Sequence, residues 1–126
     1  MDLLKDLNPE QREAVLSTEG PLLIIAGAGT GKTGVLIRRI AYLLQEKKAE
    51  PENILALTFT EKAAEEMKSR VAELLKTSVN SMQISTFHSF CRNILVEDGA
   101  KFGLSPDFHQ LDDVDQWIVL RRLLPN

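Results

Sequence analysis

Cysteine is all but missing from this chain: Cys91 stands alone among 126 residues. No internal disulfide can form, and the composition fits a reducing cytoplasm. Long apolar runs are missing too. The longest, Leu22-Leu23-Ile24-Ile25-Ala26, is the size of a strand rather than of a membrane span. The start, Met1-Asp2-Leu3-Leu4-Lys5-Asp6, has neither the basic opening nor the long apolar core of a secretory signal. A basic excess is also absent. The net charge is −3, with acids and bases mixed along the chain, whereas a stand-alone nucleic-acid binder draws most of its affinity from a positive field. Any DNA contact is therefore expected to be local and to need other parts of a larger protein. There are no repeats, low-complexity segments or linkers. What remains, 44% hydrophobic and 26% charged, is ordinary for a globular chain of one small domain or part of a larger one.

The few glycines and prolines punctuate clear segments. Asn8-Pro9-Glu10-Gln11 reads as a helix start, with Asn8 as N-cap, Pro9 first in the helix and Gln11 third. That helix should run to about Leu16 or Ser17 and stop near Gly20-Pro21. Leu22 to Ala26 lack alternation, as in a strand buried on both faces of a parallel sheet. After a glycine-rich turn, Val35, Leu36, Ile40, Leu43 and Leu44 mark one face of a helix. Glu50-Pro51-Glu52-Asn53 breaks the chain before a second buried strand, Ile54-Leu55-Ala56-Leu57, ending at Thr58-Phe59-Thr60. The next helix turns Ala63, Ala64, Met67, Val71, Leu74 and Leu75 inward and the opposite charges of Glu66 and Arg70 outward. A third strand, about Gln83 to Thr86, leads into a helix from roughly His88 to Asp98. This alternation predicts a parallel α/β sheet with right-handed crossovers. Beyond it, Pro106 to Leu111 is irregular. Asp112 or Asp113 then caps a helix through about Leu124, ended by Pro125, with Trp117, Ile118, Leu120, Leu123 and Leu124 as a packing stripe.

Ala26-Gly27-Ala28-Gly29-Thr30-Gly31-Lys32-Thr33 fits the phosphate-loop pattern G-x-x-x-x-G-K-[ST], with Ala26 in place of the first glycine. Gly27, Gly29 and Gly31 let the backbone turn consecutive N–H groups inward toward phosphate oxygens. The helix beginning at Gly31-Lys32 adds its positive dipole end. Lys32 is placed to reach the β- and γ-phosphates, and the Thr33 hydroxyl to ligate Mg²⁺. The plainer reading is a glycine-rich strand-to-helix turn with a surface lysine. Its position after an apolar strand and before an amphipathic helix favours binding of ATP with Mg²⁺.

Four segments together carry a resemblance: Leu7 to Val15, Ala26 to Thr33, Leu57 to Met67, and Thr86-Phe87-His88-Ser89-Phe90. In order and spacing they resemble the first four motifs of UvrD/Rep/PcrA-type superfamily 1 DNA helicases, over essentially the whole chain. The resemblance implies an incomplete P-loop NTPase (RecA-like) parallel sheet flanked by helices. Residues 1–91 would be the N-terminal, ATP-binding part of the first motor domain, and 92–126 the beginning of an inserted helical subdomain. It implies ATP-driven 3′-to-5′ translocation on single-stranded DNA and duplex unwinding in repair or replication. Gln11 would read adenine through a bidentate amide pair, alongside its plainer role in a capping box. Phe59, Thr60 and Lys62 would meet single-stranded DNA, as would Thr86 and His88. The plainer readings are Phe59 in the core, Thr60 as a helix cap, and a structural His88. Phe87 and Phe90 are expected to pack, and Cys91 to be a small buried residue.

Two positions depart from that pattern. Glu61 stands where asparagine is common, and a carboxylate beside DNA phosphate is unfavourable; it could instead stabilise a helix N-terminus. Gly34 stands where many relatives carry arginine near the base. Leu111-Asp112-Asp113-Val114-Asp115 imitates an acidic metal motif but lacks the buried apolar strand such a motif needs, and reads as a helix start. The second acidic motif, an arginine finger and a second motor domain are not in these residues, so the piece alone is expected to be inactive and to depend on the remainder of the helicase chain. Two alternatives stand beside this reading. One is the motor portion of a RecB/AddA-type helicase–nuclease, to which Glu61 and Phe90-Cys91 point. The other is a non-catalytic nucleotide-binding module.

Overall fold

The computed structural model describes residues 2–124, which divide into two compact units on either side of the Ser89–Phe90 junction. In the first unit, helix α1 (Pro9–Leu16) opens with the predicted capping box. The Asn8 side chain accepts from the Gln11 N–H at 2.8 Å, and the Gln11 side chain accepts from the Asn8 N–H at 3.1 Å. Helix α2 (Lys32–Gln45) follows the glycine turn. Strand β1 (Leu55–Thr58), helix α3 (Glu61–Leu75) and strand β2 (Gln83–Thr86) come next, and helix α4 (Phe87–Asp98) leaves β2 directly. β1 and β2 pair in parallel with α3 as the intervening element, in the register Leu55↔Gln83 through Thr58↔Thr86. Parallel neighbours need such a crossover, and the helix then covers one face of the pair.

Two clusters build the core. The larger joins α2, α3 and the strands through Ile37, Ile40, Met67, Val71, Met82 and Ile84, among others. The smaller packs Ala14 and Val15 of α1 against Val35 of α2, with Ile24 partly buried beside them. α2 therefore lies between two apolar neighbours and buries two sides. This is why Ile37 and Ala41 are buried while Leu36, expected inside, is exposed. Arg39 ties the second contact down by donating to the carbonyl of Ala14 at 2.6 Å and to that of Ser17. Those carbonyls belong to the last turn and end of α1, which has no further helical N–H to give them.

The first expected strand is corrected. Leu22 to Ala26 form no strand, and the sheet among the described residues has two members, β1 and β2. The segment turns Ile24 toward α1 and α2, while Leu23 and Ile25 are 82% and 88% exposed. An apolar run becomes a doubly buried strand only when neighbouring strands supply its ladder and a second layer covers its far face; neither is present among the described residues.

In the second unit, a short 3₁₀ turn (Gly99–Phe102) follows α4, and Leu104 folds over Gly99. Helix α5 (Asp113–Leu123) starts at Asp112, which accepts from the N–H groups of Val114 and Asp115 while Asp115 returns the capping-box bond. The acidic run is thus a helix N-terminus, as expected. The stripe expected to pack on α5 is exposed, and Arg121 stacks over Trp117 at 5.2 Å. Cys91, expected to be buried, and Phe87, expected to pack, are both exposed. The expected stop at Pro125 lies outside the described residues. No helix among them is long and apolar enough to cross a membrane.

Gly34 sits in the first turn of α2 with an ordinary helical backbone. A Cβ added there would meet only the Arg38 guanidinium, at 3.7 Å. Glycine in a helix is disfavoured relative to alanine by backbone entropy. Gly34→Ala should stabilise the fold by about 0.5–1 kcal/mol, read as a raised midpoint in chemical denaturation.

Candidate functional site

Glycine chemistry shapes the turn between residue 26 and α2. Gly29 and Gly31 have φ of +75° and +84°, in the left-handed region, whereas Gly27, expected to need the same freedom, does not. Thr30 closes the turn by donating its hydroxyl to the Gly27 carbonyl at 2.8 Å. Gly31 is the N-cap of α2 and offers no side-chain cap, so the first N–H groups of the helix have no capping side chain. Lys32, the first helical residue, folds back, and its ammonium donates to the carbonyls of Ala26 at 2.8 Å and Gly27 at 2.5 Å. The Lys32 ammonium therefore lies against two carbonyls of the turn, beside the uncapped N-terminus of α2. Ala28 lies exposed in this turn, and Thr33 is the second residue of α2.

Gln11 reaches the same place from α1. Its Nε2 donates to the Thr30 carbonyl at 3.1 Å while its Oε1 holds the cap at Asn8. A side-chain amide has two N–H groups and two lone pairs, so one of each remains free. The capping role and a second bidentate contact are compatible. A cleft of about 400 Å³ opens beside this link, lined by Gln11, Ile24, Ala26, Gly27, Thr30 and Lys32 among others.

The second group of expected residues gathers at the C-terminal ends of the paired strands. Thr58 and Thr86 are register partners, so Phe59 and Thr60 emerge beside Phe87 and His88. Phe59 is 99% exposed, which removes the reading of it as a core residue. Thr60 is the N-cap of α3, accepting from the Ala63 N–H at 3.2 Å. Lys62 and His88 are exposed. Thr86 differs from the others. It is 6% exposed, and its hydroxyl accepts from the Ser89 N–H at 3.2 Å, capping α4, while donating to Glu61 at 2.6 Å.

Glu61 is the residue whose part was hardest to read in advance. Its Oε1 accepts from the hydroxyls of both Thr86 and Ser89, each at 2.6 Å. Hydrogen bonds from Ser89 and then Thr86 hold its carboxyl below the ordinary value of 4.5, with Lys68 adding a smaller attraction. The carboxylate, though exposed, thus links the start of α3 to Thr86 and to the first turn of α4. Ser89 went unnoticed as a partner. The signal lay in Thr86 standing three residues before Ser89, the spacing of a hydroxyl cap. Among the described residues no three His, Cys, Asp or Glu side chains gather to hold a metal.

A turn with two left-handed glycines before a helix, beside a parallel strand pair that carries an exposed aromatic at its end, defines an α/β protein. The chain belongs to the UvrD/REP helicase N-terminal domain family, whose pattern it matches over residues 7–126. It is 53% identical over 122 residues to the ATP-dependent DNA helicase PcrA of Staphylococcus epidermidis strain ATCC 35984, a match covering 97% of this chain and 17% of that protein. It is 52% identical over 124 residues to the protein of the same name from Staphylococcus aureus strain Mu50, covering 98% of this chain and 17% of the relative. The chain therefore spans about a sixth of the length of the curated relatives it matches.

The clasp at Glu61 gives a pH signature. Its native carboxyl titrates below 4.5, so in that acid range the unfolded chain binds more protons than the folded one, and stability rises with pH. The contribution is complete above 4.5 and disappears as the pH falls through the lowered native value. Thermal unfolding should show Glu61→Gln less stable than the unsubstituted chain at neutral pH, with the two midpoints converging in acid. A gap that persists or widens in acid contradicts the assignment.

Proposed function

We propose that this chain is the N-terminal, ATP-binding portion of an ATP-dependent 3′-to-5′ DNA helicase, in which hydrolysis drives movement along single-stranded DNA and duplex unwinding during repair or replication in the cytoplasm. The observation that carries this reading is the turn from Ala26 to Thr33, with Gly29 and Gly31 left-handed and the Lys32 ammonium held at its mouth. Membership of the UvrD/REP family, and relatives bearing the name ATP-dependent DNA helicase, support it. The P-loop, RecA-like architecture and the division into a motor part at 1–91 and an inserted helical part from 92 belong to the same proposal.

Each residue then has a task. The backbone N–H groups from Gly27 to Thr33 take up phosphate oxygens. Lys32 exchanges its carbonyl partners for the β- and γ-phosphate oxygens, a trade of neutral acceptors for charged ones that favours binding. Thr33 offers its hydroxyl to Mg²⁺, and Gln11 uses its spare donor and acceptor on adenine. Mg·ATP supplies the transferable phosphoryl group and the metal charge that steadies it. Phe59 offers a ring on which a base can stack. Thr60, Lys62 and His88 surround it with donors for the DNA backbone, and Thr86 supports them from beneath. The relatives at 52% and 53% identity are PcrA helicases, which favours this reading over a helicase–nuclease.

Lys32→Ala in the full protein should lower DNA-stimulated ATP turnover by roughly a hundredfold or more, as removal of one group stabilising transition-state charge does, and unwinding should go with it. Survival of unwinding would mean that ATP held by this turn is not the energy source, and would leave a non-catalytic nucleotide module as the better account. The stretch 1–126 by itself is expected to bind nucleotide weakly and to show no meaningful turnover in a steady-state assay. Robust DNA-stimulated hydrolysis by that stretch refutes the expectation.

A further inference from the structure

We propose that Glu61 is a positioning residue for single-stranded DNA: by gathering the hydroxyls of Thr86 and Ser89 onto one carboxylate oxygen, it locks the start of α3 to the start of α4 and sets Phe59 and His88 at a fixed spacing along one strand. The inference rests on the DNA reading above and concerns how that surface is held together.

Three observations carry it. The first is connectivity. Glu61 opens α3, Thr86 ends β2, and Ser89 lies in the first turn of α4, so one oxygen bridges two segments 25 and 28 residues apart in sequence. Beneath it, backbone pairing of the strands ends at Thr58↔Thr86, so Phe59, Phe87 and His88 have no ladder to fix them. The clasp sits at that point and replaces the missing pairing.

The second is charge. A carboxylate near DNA phosphates repels them if its lone pairs face outward. Here both hydroxyls donate to Oε1 at 2.6 Å, and the carboxylate lies at the positive ends of two helices, with Lys68 also exerting a favourable pull. Lys62 stands next to it in the chain, exposed. The negative charge is answered from within the fold, so it binds segments together at small cost to the electrostatics of the surface.

The third is the state of Thr86. With its hydroxyl engaged as donor to Glu61 and acceptor from the Ser89 N–H, and its side chain buried, it has little left to give a ligand. Thr86 acts through what it holds, and the groups free to meet DNA are those on either side of the clasp.

The sign of one substitution separates this role from a bare surface charge. In the full protein, the affinity for a fluorescent single-stranded oligonucleotide is measured by anisotropy at fixed salt, since salt alone moves such affinities widely. Positioning predicts that Glu61→Ala weakens binding roughly fivefold, in keeping with loss of charge-assisted hydrogen bonds at an exposed site. Glu61→Gln, which keeps an acceptor oxygen without the charge, should recover most of the loss. Adding Ser89→Ala to Glu61→Ala should cause little further weakening, because both changes cut the same link. Unchanged or tighter binding by Glu61→Ala overturns the proposal in favour of simple repulsion, and equal losses in the alanine and glutamine variants overturn it as well. Should Glu61→Ala fail to fold, Ser89→Ala removes one donor and spares the buried Thr86 bond; weaker binding then supports the clasp and unchanged binding refutes it. If the unsubstituted protein does not bind the oligonucleotide, the DNA reading itself falls and takes this inference with it. If it binds and only the variants behave unexpectedly, the clasp alone is wrong.

Discussion

Parallel pairing between β1 and β2 is the constraint on which the strand-end surface depends. Two short parallel strands cannot be joined by a tight turn, so the chain must cross back through α3, and α3 must bury one face against both of them. Met67 and Val71 do so, meeting Ile84 of β2 in one cluster. The register that results brings Thr58 level with Thr86. From there the geometry of the strand ends follows: two helices start side by side, and the residues just past each strand share one edge. Had the register slipped by a single residue, the side chains on one strand would have changed faces, and Thr86 could not lie beneath the start of α3.

The glycine turn is joined to the rest by a different route. Its contacts run through α1 and α2, with Gln11 bridging from the cap of one helix to the turn that opens the other, and Arg39 closing the far end of α1. A side chain that caps a helix and touches the loop at once makes the position of α1 sensitive to the shape of that loop. The proposed nucleotide seat and the proposed DNA surface meet through the packing of α2 on α3, around Ile37, Ile40 and Met67. Both ends therefore rest on one contiguous packed cluster.

Local signals were the most legible. Helix starts follow from single residues: Asn8 caps as expected, Thr60 caps as its plainer reading had it, and of the two acids offered for the last helix Asp112 is the cap. The first strand of the pair is legible as a short apolar run, the second as the expected piece between two helices, and the glycine turn in its spacing. What misled was anything settled by distant neighbours. Leu22 to Ala26 looked like a buried strand because composition reports apolarity and not the presence of a partner. Leu36 was placed inside because one helical face was assumed, while α2 has neighbours on two sides. Cys91 was expected to be buried and Phe87 to pack by residue type alone, and type is a weak guide to burial. At the candidate site, Phe59 was left open between core and surface, and its full exposure resolves that choice. The bond from Glu61 to Thr86 and Ser89 spans more than twenty residues of chain, beyond the reach of any reading by local pattern.

The bare side of the segment from Leu22 to Ala26 has a consequence for handling the protein. A run of β-prone apolar residues that belongs to no ladder and leaves Leu22, Leu23 and Ile25 exposed is a template for adding a strand from another molecule. Charges that would discourage such stacking are missing from the run itself, and Pro21 guards only its N-terminal end. Concentrated preparations of these residues should therefore be prone to self-association through that edge, so that colloidal behaviour, and not folding, would limit the yield.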